Sequence, residues 1–284
     1  MSGTLFLVAT PLGNLEDMSP RATRVLEEAD YIAAEDTRRA ARLLSALGVG
    51  NRLISYYEHN QAIRHDRLIE DLKSGLSMAV VSDAGMPSIS DPGEALVRLA
   101  VEHGIPVSVI PGPSAFASAI SASGLNTERF AYEGFIPAKG KERQARLKAM
   151  SQEVRTLVFY EAPHRLRRSL DDLAAVVESD RKIVVAREMT KTYEEFLYFT
   201  LGEAVLYYET TAPKGEFTIV LEGKEEYGLR TGEADQGLTE EILSAMIKEA
   251  LDEGLRTRDA SDLVADKTGV SRNKLYRLAL KLRQ

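Results

Sequence analysis

The 284-residue sequence contains no cysteine, which removes disulfide frameworks, iron–sulfur clusters and thiolate–zinc sites from consideration. Long hydrophobic runs are missing too. The longest apolar stretches, such as Leu5–Ala9 and Val107–Ile110, fall far short of the roughly 18 residues a membrane-spanning helix needs. The first residues lack the basic start and extended apolar segment of a signal peptide, so the expectation is a cytoplasmic protein with no membrane partner. There is no GxxxxGK[ST] and no GxGxxG followed by an acid about 20 residues on. That argues against a triphosphate cradle, the common dinucleotide fingerprint and a Rossmann-type methyltransferase. No internal repeat or low-complexity segment interrupts the chain.

What is present is the composition of a soluble globular protein, 44% hydrophobic and 28% charged, long enough for about two domains. A net charge of −7 argues against coating a nucleic acid with the whole surface. The distribution is more informative. "AKGKERQARLK" (138–148) holds five basic residues against one acid, and residues 270–284 hold Arg272, Lys274, Arg277, Lys281 and Arg283 with no acid. Acids gather elsewhere, for example at Glu225–Asp235. Two basic runs on an acidic protein suit either solvated helix faces or a polyanionic partner.

Apolar strand-like runs alternate with helical patterns from the start. "TLFLVA", "YIAA", "RLISYY", "MAVVS" and "VSVI" read as strands, with helices from Ser19-Pro20 and around 60–73, 92–103 and 113–122. This alternation predicts a mainly parallel sheet covered by helices. Its domain spans 1–122. A hinge at 121–128 leads to a second α/β domain, 123–224, with strands near 129–135, 156–160, 182–187, 193–200 and 216–222 and a helix over 163–178. "GKEEYGLRTGEADQG" (223–237) reads as a linker. A small all-helical domain, 237–284, ends the chain. In it Ala265, Gly269 and a Ser271 cap resemble a helix-turn-helix, and a plain helical bundle with a solvated basic face fits equally well.

Four loops that follow first-domain strands are unusually specified: "ATPLGNLED" (9–17), "AEDTRRA" (34–40), "VVSDAGMPSISDPG" (80–93) and "IPGPSA" (110–115). In open α/β sheets, ligands bind at the carboxyl ends of strands. Pro and Gly are common in any one loop, but four such loops in one unit suggest a binding site. Rich in backbone groups and small residues, they suit a nucleoside-like ligand without phosphates.

The series "VATPLGNLEDMSPRA", "AAEDTR", "VVSDAGMPSISDPG", "IPGPSA", "YEGFIPAKGKER", "FYEAPHRL", "AREMTKTYEE" and "GEFTIVLEG" resembles the ordered motifs of the tetrapyrrole methylase superfamily. It is most similar to the branch that 2′-O-methylates a cytidine of small-subunit (16S) ribosomal RNA. The resemblance spans residues 4 to about 223. It implies two α/β domains with S-adenosylmethionine in the cleft between them, a homodimer, and no metal. It places Pro11, Asp83, Ala84, Gly85, Ile89, Ser114, Ala115, Phe159, Tyr160, Gly215 and Glu216 around the methyl donor.

A ribose hydroxyl is a poor nucleophile at neutral pH, so a base within hydrogen-bond reach is expected. Glu35, Asp36 and Arg38 of "AEDTR" are the first candidates, and structural capping and ion pairing is their alternative role. His164 of "EAPHR" is the second. Asn14 suits orienting the ribose. Lys139, Lys141, Arg143, Arg165, Arg272, Lys274 and Arg277 suit RNA phosphates, together with Arg167 and Arg168. Glu188, Thr190 and Lys191 suit either RNA binding or holding the cleft. The RNA could be met free or in the assembled subunit. The competing readings are a methyltransferase for a tetrapyrrole or other small acidic substrate, and a non-catalytic RNA-binding protein that senses S-adenosylmethionine.

Overall fold

In the computed structural model, residues 2–57, 61–232, 240–268 and 270–282 are described, except for the side chains of 61–63 and 273. Strands β1 (Leu5–Val8), β2 (Tyr31–Ala34), β3 (Leu53–Ser55), β4 (Met78–Val81) and β5 (Val107–Ile110) form one sheet in the order β3-β2-β4-β1-β5. Every pairing in it is parallel. Parallel neighbours need crossovers, and helices α1 (Pro20–Glu28), α2 (Thr37–Leu47), α3 (Gln61–Lys73) and α4 (Glu94–Glu102) supply them. Helix α1 starts where the sequence indicates: the Ser19 hydroxyl accepts the Ala22 N–H, and Pro20 occupies the first turn.

Both faces of this sheet are covered. Leu5, Leu7, Ala33 and Val80 pack with Leu68, Leu72 and Leu96, while Val8, Ile32, Ala34 and Ala79 pack with Val25, Leu26 and Leu44. This explains why the strands read as continuous apolar runs rather than as alternating patterns. Central β4 delivers the 82–93 loop to the middle of the sheet's carboxyl edge.

Helix α5 (Ala115–Ala122) follows β5, yet its buried residues Ala119 and Ile120 pack on Val158, Val184 and Val220 of the second sheet. It therefore joins the two halves. The second sheet holds β6 (Phe130–Phe135), β7 (Thr156–Glu161), β8 (Lys182–Arg187), β9 (Glu195–Thr200) and β10 (Phe217–Leu221) in the order β6-β7-β10-β8-β9. Only β6 and β7 run parallel. Helices α6 (Gly140–Gln152), α7 (Pro163–Ala174) and α8 (Leu201–Thr210) cover its other face through Leu147, Leu166, Leu170 and Tyr208.

The expected linker is largely structured. Residues Lys224–Thr231 form helix α9, whose buried Tyr227 donates its hydroxyl to Asp180 at 2.8 Å. Arg230 in the same helix pairs with the fully buried Glu222 at 2.9 Å. The polar composition is explained by this pairing: a buried acid at the end of β10 needs a cation. Residues 233–237 of the expected linker lie outside the described residues. Helices α10 (Glu240–Asp252), α11 (Thr257–Thr268) and α12 (Arg272–Leu282) share a core of Leu243, Ile247, Val264, Ala265, Leu275 and Leu278. Gly269 and Arg283 lie outside the described residues.

Candidate active site

The four loops do converge at the carboxyl edge of the first sheet. Thr10 and Gly85 exchange backbone hydrogen bonds at 2.9 and 3.0 Å, and the Thr10 hydroxyl donates to the Ser82 carbonyl. Gly85 holds φ +82°, a left-handed conformation that side-chain-bearing residues rarely adopt. Gly13 serves a different purpose. A Cβ there would lie 2.2 Å from Lys191 Cγ, so the lysine of the second half lies directly across the first loop.

The β2 and β4 loops are laced together by acids. The Asp36 N–H donates to Asp83 at 3.2 Å, and the Asp83 N–H donates to Glu35 at 3.4 Å. Arg39 pairs with Asp83 at 3.1 Å. Burial, followed by the Asp83 charge, pushes the Glu35 carboxyl up. Asp36 is pulled down to about 2 by its hydrogen bonds with Arg38, whose own side chain is exposed. Asp36 also caps α2 by accepting the Arg38 N–H, so Asp36 and Arg38 make capping and ion-pair contacts. His164 stands exposed near the start of α7 and takes no part in the hydrogen bonds of this cluster. Asn14 caps the short 3-10 turn Leu15–Asp17 by accepting the Glu16 N–H.

Two cavities flank these loops. One of about 510 Å³ is lined by Leu12, Gly112, Pro113, Ser114, Ala117 and Thr190. Its Thr190 hydroxyl is buried with no hydrogen-bond partner, on a residue strained at φ +66°. The second, about 400 Å³, is lined by Glu35, Ser88, Ser90, Asp91, Glu94 and Arg98. The halves meet beside it: Ser90 and Tyr132 share a hydroxyl hydrogen bond of 2.7 Å, and the Phe116 N–H donates to the Tyr160 hydroxyl at 3.3 Å. Lys191 bridges Glu188 and Glu216 at 2.9 Å each, and those carboxylates outweigh burial to keep it protonated.

Several expected contacts turn out otherwise. Phe159 is buried in the core under α6 to α8 and cannot wall a ligand, whereas Tyr160, the next residue on β7, faces α5 and the cleft. Alternation along a strand decides which of the pair is available. Arg143 is only 3% exposed and is tied to Asp172, Ser169 and the Pro137 carbonyl, so it holds the fold rather than RNA. Arg165 is likewise engaged by Glu161 and the Ile136 carbonyl. Arg272 pairs with Asp262 and Asp266. Lys139 and Lys141 are exposed, and Lys274 and Arg277 line a groove of about 390 Å³ with Lys281 and Glu240. Pro11, Ala84, Ser114 and Ala115 lie in or beside the loops, Ile89 is exposed, and Gly215 turns at φ +88° below Glu188. Asp91, Tyr132 and Phe135 were not legible as site residues. Asp91 is one residue of the 80–93 loop, and the two aromatics fall in the strand expected near 129–135.

The family described as Tetrapyrrole (Corrin/Porphyrin) Methylases matches residues 4–205. The chain belongs to the tetrapyrrole methylase family. A second match, the RsmI C-terminal HTH domain, covers residues 236–283. The chain is 43% identical to the Ribosomal RNA small subunit methyltransferase I of Synechocystis, over 99% of this chain and 98% of the relative. It is 45% identical to the protein of that name from Thermotoga maritima, over 78% of this chain and 100% of the relative. About a fifth of this chain thus has no counterpart in that relative. Among solved structures, diphthine synthase superposes with a TM-score of 0.62 at 18% identity, covering 78% of this chain and 90% of that one. Uroporphyrin-III C-methyltransferase from Thermus thermophilus, complexed with S-adenosylhomocysteine, gives 0.56 at 19% identity, covering 81% and 100%. At those identities the likeness concerns the fold alone.

Proposed function

We propose that this protein transfers the methyl group of S-adenosylmethionine to the 2′-hydroxyl of a cytidine in small-subunit ribosomal RNA. The observation that carries the reading is the end-to-end match, at 43% identity, to a relative named as a small-subunit ribosomal RNA methyltransferase. The ribose target rests on the motif series. The donor's positively charged sulfur supplies an already activated methyl group, so the protein's task is alignment, which can contribute about 7–11 kcal/mol.

The residues present fit such a donor. The 510 Å³ cavity has the size of a small-molecule site, and its orphaned Thr190 hydroxyl offers a polar contact. Ser114, Gly112 and Thr190 would hold one side of the donor, and Asp83, Ala84 and Gly85 the other. Lys191, fixed by Glu188 and Glu216, closes the seam over Gly13. Among the described residues, no group of three or more His, Asp or Glu is placed to hold a metal, and no helix is long and apolar enough to cross a membrane. Lys139, Lys141, Lys274 and Arg277 are among the exposed cations that would meet RNA phosphates. A cytoplasmic homodimer completes the proposal, with sedimentation as the test of its assembly.

The direct experiment supplies labelled S-adenosylmethionine and small ribosomal subunits from cells lacking the protein, then maps the modified nucleoside. Label on a cytidine ribose is the expected result. Donor binding without RNA labelling would overturn the substrate, and transfer to a porphyrinoid would replace it.

A further inference from the structure

We propose that Asp91 is the group that accepts the proton of the attacking ribose hydroxyl. This rests on the methyl-transfer reading above and assigns a role in the second of the two cavities that flank the donor loops. Four carboxylates gather at the loop ends; two are paired with arginines and a third accepts a backbone N–H. Asp36 is paired with Arg38, Asp83 with Arg39 and the Asp36 N–H, and Glu35 accepts the Asp83 N–H. Asp91 has no ion-pair partner among the described residues, and it lines the 400 Å³ cavity with Ser88 and Ser90. A proton acceptor has to keep a lone pair free for substrate, and a carboxylate already paired with a guanidinium is a weaker base.

Independent features mark this cavity as a place for a nucleoside. The loop bends back through left-handed conformations at Ser88 (φ +70°) and Ser90 (φ +59°), which swing Asp91 to the junction of the two halves. There Ser90 is fastened to Tyr132, which packs on Tyr160 with ring centroids 5.3 Å apart. Phe135 packs edge-on against Tyr160 at 5.4 Å yet remains 51% exposed, because an irregularity between Tyr132 and Phe135 in β6 re-aims it. An exposed aromatic face beside a polar cavity is the platform on which an unstacked base settles. The Ser88 hydroxyl, which lines the same cavity, is buried without a partner.

Glu35, Asp83 and the Ser82 hydroxyl of the first half act electrically on Asp91, the Tyr132 and Tyr160 hydroxyls of the second half feel its charge in turn, and Glu94 and Arg98 of α4 line its cavity. Burial pushes its carboxyl up to about 6. The Ser82 hydroxyl opposes that rise, and the charges of Glu35 and Asp83 reinforce it. At pH 7–8 the group is ionised and still basic enough to take a proton. As the ribose oxygen forms its bond to the methyl carbon, the hydroxyl proton passes to an Asp91 oxygen. The methyl–sulfur bond breaks with its electron pair left on sulfur, giving neutral S-adenosylhomocysteine. The proton then returns to water.

The test compares wild type, Asp91→Asn, Asp91→Glu and Glu35→Gln on small ribosomal subunits under single-turnover conditions, with donor binding followed by calorimetry. Wild-type labelling of the cytidine ribose checks the underlying reaction; if wild type fails, that reading falls before Asp91 is at issue. The expected result is a rate loss of at least about 100-fold in Asp91→Asn with donor affinity unchanged, and partial recovery in Asp91→Glu. The wild-type rate should rise with pH through about 6 and then level, a limb that Asp91→Asn loses. In the ligand-free protein, a carboxyl titrating near 6 by NMR should vanish in the same variant. Near-wild-type rates in Asp91→Asn, or loss confined to Glu35→Gln, would overturn the assignment.

Discussion

The charged residues of the second half and those of the first are used in opposite ways. In the second half, buried cations are fully engaged. Arg181 is 0% exposed and donates to the Glu222 and Ser151 carbonyls while meeting Glu178 at 3.4 Å, and the buried Arg143 is similarly tied. In the first half, Glu35, Asp83 and Asp91 gather with too few cations to go round, beside an open cavity. A satisfied buried charge specifies packing, whereas a crowded, under-compensated one is poised for proton transfer. The difference separates arginines that look RNA-directed in sequence from acids that look structural.

The largest effect is expected where a satisfied charge is cut away. Arg181→Ala should lose about 3–5 kcal/mol of stability in urea titration, because it strands the buried Glu222 carbonyl and removes its packing. A loss under 1 kcal/mol would break the comparison. Gly85→Val comes next. A branched residue at φ +82° should cost about 1–2 kcal/mol and weaken the donor by tenfold or more in calorimetry. Unchanged donor affinity would place the pocket elsewhere.

Asp91→Asn should move stability the other way. A carboxyl whose pKa is raised on folding contributes stability fully below its unfolded value of 3.8 and loses it as pH rises through about 6. At pH 7–8 the variant should therefore be more stable by about 1–2 kcal/mol, allowing for solvent screening, and the gain should disappear below pH 4 in thermal melts. Equal stability at both pH values would mean that the acids are as well compensated as the arginines.

Much of this arrangement was legible in the chain itself. The Ser19-Pro20 helix start, the apolar runs of a parallel sheet and the four loops at its carboxyl edge follow from local patterns. Side-chain direction was harder to read. Phe159 and Tyr160 are adjacent and similar, and only the register of β7 against β10 puts one in the core and the other at the cleft. Arg143 belongs to the most basic stretch of the second half, yet it turns inward because Asp172 and Ser169 of α7 stand opposite. Helix α9 passes for a linker because its reason to fold, the acid at Glu222, lies outside its own sequence.

The sequence by itself determined the order of strands and helices, the family and the loop chemistry, because these depend on nearest neighbours and on residue type along the chain. The tertiary structure alone decided which charges are compensated. Asp91 differs from Asp36 and Asp83 only in what surrounds it: among the described residues no arginine pairs with it, and the bend at Ser88–Ser90 carries it to the junction with Tyr132 and Tyr160. A carboxylate's basicity is set by the charges and water within a few ångströms, and those neighbours come from both sheets.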